Sequence, residues 1–263
     1  MIGECDMKKI QVTIWNECIH EKSEPVVQAI HPNGLHNTLK AGLECPEFEI
    51  RTATLDEPCQ GLPDDVLNST DVLLWWGHAG HELVENELVE KICTRVNDGM
   101  GLIVLHSGHH SRIFRRMTGT NCNLRWREEG ERCEVSTVLP SHPIAKDVPL
   151  MFDIEHEEMY GEPFVIPNPD EVVFISWFQG GNVFRSGVTF HRGTGKIFYF
   201  QPGHETYRSY YNENVLKVIH NAIKWAYNPE PANIPCVWEN KSRVPFTVDE
   251  SLGGLTHHPD PVK

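Results

Sequence analysis

Three stretches of this chain run from apolar side chains straight into glycine and histidine: Val72-Leu-Leu-Trp-Trp-Gly-His78, Gly101-Leu-Ile-Val-Leu-His-Ser-Gly108 and Ile197-Phe-Tyr-Phe-Gln-Pro-Gly-His-Glu205. Imidazole titrates near neutral pH, so it suits proton transfer, and in its neutral form it ligates divalent metals. One histidine at a strand end is ordinarily a hydrogen-bonded or surface residue. Three of them, delivered to one edge by three separate apolar runs, point to a site. Gly77, Gly108 and Gly203 supply the backbone freedom of a strand-to-helix elbow, which also turns N–H groups toward the pocket and suits a carbonyl oxygen or an anion. His78, His106 and His204 are therefore the candidate catalytic residues.

A carboxylate cluster, Ile154-Glu-His-Glu-Glu-Met-Tyr-Gly-Glu162, stands beside them in the sequence. In a strand, residues 155 and 157 share a face and 158 takes the other. One glutamate can then reach the pocket while the others stay solvated, and Glu158 is taken as that one. Trp15, Trp76, Trp126, Tyr160 and Trp177 read as core more than as ligand platforms, although indole can pack on the C–H face of a pyranose. His109, His110, His191, His220, His257 and His258 read as surface or packing residues.

The elements that would position these groups follow from periodicity. Strands are expected at 10–15, 48–53, 71–76 and 101–106, with helices at 35–43, 84–96 and 112–117 between or after them. Asn97-Asp-Gly99 and Gly119 close the last two helices. Strands alternating with helices argue for right-handed βαβ units and a parallel sheet, whose ligand site lies at the carboxyl ends of the strands. Further strands are expected at 125–139, 151–160 and 171–178, a hairpin at 183–191 and 196–200, and a final helix near 210–227. From residue 229 the chain is proline-rich, and it is expected to be an extended tail lying on the body or on a neighbouring subunit.

Composition narrows the partners. Among 263 residues, 40% are hydrophobic, enough for one large core, and 37 acidic against 23 basic residues give a formal charge of −14. That surface repels phosphate backbones and anionic bilayers, so nucleic acid and membrane are poor partners. No apolar run reaches the roughly 20 residues of a membrane helix. None of the eight cysteines forms a C-x-x-C pair, so reduced cysteines and a cytoplasmic location are expected. The first residues carry no export signal, and Met7 is an alternative start to Met1.

Taken together, Trp15-Asn-Glu17, Gly34-Leu-His36, Trp75-Trp-Gly-His78, Gly101-Leu-Ile-Val-Leu-His-Ser-Gly108, Glu157-Glu-Met-Tyr-Gly-Glu162, Phe184-Arg-Ser-Gly187 and Pro202-Gly-His-Glu205 resemble the trehalose-utilisation (ThuA-like) family over residues 8–228. The resemblance implies a fold similar to class I glutamine amidotransferases: a flavodoxin-like three-layer α/β/α arrangement around a mostly parallel, doubly wound sheet. Amidotransferases carry a cysteine at the elbow after a buried strand, followed much later by histidine and glutamate. Here the elbow position is His106, while His204-Glu205 remain. Without a thiolate the glutaminase reaction has no nucleophile.

The motif residues flanking the histidines, Asn16, Glu17, His36, Trp76, Ser107, Tyr160 and Glu205, are the expected substrate-binding set. The family implies a carbohydrate substrate, and the expected activity is an enzyme acting on a sugar or keto-disaccharide. Its chemistry would be isomerisation, elimination or glycosidic cleavage, run either by metal-free acid–base groups or by a divalent ion such as Zn2+ on His78, His106 and His204 with Glu158. The competing reading is a non-catalytic sugar-binding or regulatory subunit on an inactive scaffold. No G-x-G-x-x-G follows the first strand, so neither NAD nor flavin is expected. A homo-oligomer is expected.

Overall fold

The computed structural model describes residues 8–230; the expected tail, with His257 and His258, lies outside them. In chain order the elements are β1 (Ile10–Asn16), α1 (His20–Ser23), α2 (Pro25–Ile30), α3 (Leu35–Leu43), β2 (Phe48–Thr54), α4 (Asp64–Asn68), β3 (Val72–Trp76), α5 (Asn86–Asn97), β4 (Gly101–Leu105), α6 (Arg112–Thr118), β5 (Arg125–Thr137), β6 (Met151–Gly161), β7 (Glu171–Phe178), β8 (Val183–Arg192), β9 (Gly195–Phe200) and α7 (Glu213–Ala226).

Among the described residues nine strands join one sheet in the order β2-β1-β3-β4-β9-β8-β7-β5-β6. The first five are parallel, and their order is the flavodoxin-like one, with its switch point between β1 and β3. β3 and β4 are buried at every residue, as their unbroken apolar sequences require. Stacking of the Trp15 and Trp75 rings at 3.7 Å fills the space beside them. α3 packs on β1, β2 and α7, while α5 packs on α6 and β9. α5 buries Leu88, Val89, Ile92, Cys93 and Val96 along one stripe.

The expectation of a mostly parallel sheet is corrected here. The four strands from β5 to β8 pair antiparallel, β8 joining them to β9 and β6 forming the edge. The connections explain it. A parallel pair needs a crossover of a dozen or more residues, usually a helix, and no helix longer than a three-residue turn lies between β5 and β9. The histidine-bearing ends of β3, β4 and β9 do meet at one edge, as the parallel half dictates.

Candidate active site

β4 ends at Leu105, one residue earlier than its apolar pattern suggested. His106 then turns into the left-handed region, with φ +48°, a conformation that a non-glycine residue adopts at a cost. The elbow drives its ring fully into the protein. Nδ1 lies 2.8 Å from the carbonyl oxygen of Gln201, and Nε2 lies 2.9 Å from Oε2 of Glu158. A carbonyl and a carboxylate only accept, so both imidazole nitrogens donate and the ring carries both protons. Burial alone would discharge it. The Glu158 hydrogen bond, with the charges of Glu158 and Glu157, outweighs burial and raises the His106 pKa to about 9. Burial likewise opposes ionisation of Glu158, and the His106 hydrogen bond overrides it, lowering that carboxyl. The two form a buried ion pair. Tyr160 stacks on the His106 ring at 4.8 Å.

Glu157 points to the other face of β6 and is also buried, contrary to the expectation that the glutamates beside Glu158 stay solvated; Glu155 is exposed as expected. Glu157 accepts the N–H groups of Glu158, Gly203 and His204 and the hydroxyl of Ser209, the last at 2.6 Å. Burial raises its pKa. Its work is to fix the segment after β9. At Gly203, φ is +139° and an added Cβ would overlap the Tyr210 hydroxyl, so only glycine fits this turn.

His204 follows. Its Nδ1 accepts the N–H of Thr206 at 3.2 Å, which leaves the proton on Nε2. That Nε2 is buried, has no hydrogen-bond partner among the described residues, and lies 3.8 Å from Oε2 of Glu158 and 3.8 Å from Oε1 of Glu128. Burial, followed by the His106 charge, lowers its pKa to about 4, so it is neutral near pH 7.

Glu205 does not serve His204, from which it is 3.7 Å away. Its Oε1 instead accepts from Nδ1 of His78 at 2.7 Å and Nδ1 of His20 at 2.5 Å. Burial would raise this carboxyl, but the two imidazole hydrogen bonds hold it far below the usual range. The same bond raises the His20 pKa. His78 is one-third exposed, and its Nε2 makes no hydrogen bond among the described residues.

Above these groups opens a cleft of about 170 Å³ lined by His78, His81, Ser107, His109, His110, Leu124, Trp126, Glu128, Glu158 and Tyr160. Of the expected substrate-binding residues, Ser107 and Tyr160 line it, Ser107 also donating to the carbonyl oxygen of Gly77 at 2.8 Å. Trp76 is buried outside the cleft lining, its indole N–H donating to the carbonyl oxygen of Gly203. Glu17 does not line the cleft: its buried carboxylate accepts the N–H groups of Ala79 at 2.7 Å and Gly80 at 2.8 Å, shaping the loop that carries His78. Asn16 and His36 meet each other at 3.1 Å in a separate polar cluster with Glu21. His109, expected to pack or lie on the surface, is buried with Nδ1 against the Cys122 carbonyl. Trp126, expected in the core, is 65% exposed at the cleft mouth, and Trp177 is partly exposed.

His20 and Glu128 were not anticipated, while Glu157 and Trp126 take places other than the solvated face and the core expected of them. His20 alone left a signal, five residues past Trp15 and so at the same sheet edge. Of four donor sets among the described residues that could each hold a metal ion, two lie at this site: His106, Glu158 and His204, and separately His20, His78 and Glu205. The expected trio of histidines is thus divided between them. Zinc ligands at 2.0–2.1 Å stand roughly 3.3 Å apart, and the separations of 2.9 and 3.8 Å around Glu158 Oε2 bracket that value.

A family model described as trehalose utilisation, ThuA, matches residues 11–226. The chain belongs to the ThuA family. A putative ThuA-like protein from Parabacteroides merdae superposes with a TM-score of 0.64 at 14% identity, covering 83% of this chain and 90% of that one. A second, from Bacteroides uniformis, gives 0.61 at 13%, covering 86% and 95%. PurLQS from Thermotoga maritima gives 0.51 at 15%, covering 83% and 99%. No functionally curated protein matches. These likenesses concern the fold, and in this chain the residue that turns out of β4 is His106. No described helix is long and apolar enough to cross a membrane.

Proposed function

We propose that this ThuA-family protein is an enzyme of carbohydrate utilisation that moves a proton on a sugar or keto-disaccharide, in an isomerisation, an elimination or a glycosidic cleavage. The observation that carries the reading is the pairing of two imidazoles with two buried carboxylates around a third, neutral imidazole whose Nε2 has no partner. A binding module has no use for His106 held charged, Glu158 held ionised and His204 held neutral beside one another; acid–base chemistry needs that separation. Glu158, kept ionised by His106, is a base lining the cleft. His78, oriented through Nδ1 by Glu205, is the second acid–base group. His204 presents an N–H to a developing oxyanion, as a neutral imidazole can.

A divalent ion such as Zn2+ would use His106 and His204 Nε2 with Glu158, displacing the His106 proton, and would then polarise the substrate oxygen in place of His204. The six described cysteines are all free, which supports a cytoplasmic setting. The test is turnover of keto-disaccharides by protein with measured metal content, before and after chelation and on adding back Zn2+ or Mn2+. Turnover that survives chelation supports the acid–base reading, turnover restored by metal supports the ion, and sugar binding without turnover in any state leaves a binding subunit.

A further inference from the structure

Trp126 is the wrong residue to leave in water. Burying a large aromatic side chain is worth about 1.5–3 kcal/mol, yet this one is 65% exposed. It sits on β5 directly opposite Tyr160 on β6. Directly opposed residues of an antiparallel pair share a face, Glu158 falls on that same face two residues before Tyr160, and Glu128 reaches the cleft from the β5 irregularity just past Arg127. All four line the cleft. The indole is therefore the outer end of a wall whose inner end is Tyr160, stacked on His106, and Glu158.

The cleft itself holds about 170 Å³, below the roughly 300 Å³ at which ordinary ligand pockets begin. It has room for one ring at the reacting groups and not for two. Resting on the carbohydrate reading above, we propose that Trp126 is the platform of a second subsite, stacking the outer pyranose of a disaccharide whose inner ring lies against Glu158 and His78. Pyranose C–H faces are apolar enough to pack on indole, while Glu128 accepts from ring hydroxyls at the edge. Trp126 is a specificity residue here: it selects two-ring over one-ring substrates without touching the reacting atoms.

The experiment titrates wild type, Trp126→Ala and Trp126→Phe with trehalose, with keto-trehalose and with glucose by calorimetry, alongside size-exclusion chromatography of each variant. Stacking worth about 1.4 kcal/mol is tenfold in affinity. Wild type should bind the two-ring ligands more tightly than glucose. Trp126→Ala should weaken them roughly tenfold and leave glucose within about twofold, and Trp126→Phe should recover most of the loss. Equal weakening of one-ring and two-ring ligands, or none, overturns the subsite while leaving the carbohydrate reading intact. So does a change of oligomeric state with unchanged affinity, which would make Trp126 a contact between copies of the chain. Wild type that binds none of the three sugars defeats the carbohydrate reading itself, and the subsite with it.

Discussion

Replacing Glu158 with Gln should erase one specific slope in the stability of this protein against pH. In the folded state His106 has its pKa raised from 6.5 to about 9 by Glu158. A group whose folded pKa is raised contributes stability that is full below its unfolded value and is lost as pH climbs through the folded one. The window is therefore about pH 6.5 to 9. A rise of that size is worth about 3 kcal/mol, and His106 is fully buried, so solvent screening does not reduce it. Removing one partner of a buried pair costs roughly 3–5 kcal/mol. Gln can donate its amide to a deprotonated Nε2, so the lower end is expected. At about 2–4 °C per kcal/mol for a chain of this size, the variant should melt roughly 6–12 °C lower at pH 6.5. The assay is urea denaturation of both proteins at half-unit steps from pH 6 to 9.5. The difference in unfolding free energy between them should shrink toward zero as pH rises, because wild type loses what the variant never had. A difference that stays constant across the window would refute the imidazolium–carboxylate pair.

His204→Ala should lower kcat by about 10²–10⁴ and also cost some stability, since buried Nδ1 loses its Thr206 partners; an unchanged rate at a temperature where the variant is fully folded would contradict the role. Glu157→Ala leaves buried N–H groups at Gly203 and His204 without an acceptor and should cost about 3 kcal/mol or more, read by denaturation. Glu17→Ala should free the Ala79–Gly80 loop and raise its amide exchange while leaving residues near Glu158 protected. Incubation with glutamine should release no ammonia, since the elbow carries His106; release abolished by thiol alkylation would contradict this.

The parallel half of the sheet was legible because buried strands between amphipathic helices leave a plain apolar signature, and its topology alone puts His78, His106 and His204 at one edge. The antiparallel half was legible as strands and not as pairing: nothing local in Glu171–Phe178 states its neighbour, although the lack of crossover helices excludes a parallel one. Within the site, Glu158 and the elbow at His106 could be read from alternation and from the amidotransferase resemblance. The allocation of Glu205 to His78 and His20, 127 and 185 residues away, could not, nor could the burial of Glu157. Carboxylate environments come from contacts distant in sequence. Asn16, Glu17 and His36 sit outside the cleft lining for a related reason: a polar residue at a strand end can serve a neighbouring loop as readily as a ligand.

The most direct test of the central claim is hydrogen exchange at carbon, followed by NMR of a keto-disaccharide in D2O with wild-type protein, Glu158→Gln and His78→Ala. Proton transfer by Glu158 and His78 predicts that wild type places deuterium next to the carbonyl or in the product, and that each variant slows this by about 10²–10⁴ while still binding the sugar. Deuterium incorporation at the wild-type rate in both variants, or none in wild type with tight sugar binding, would contradict it.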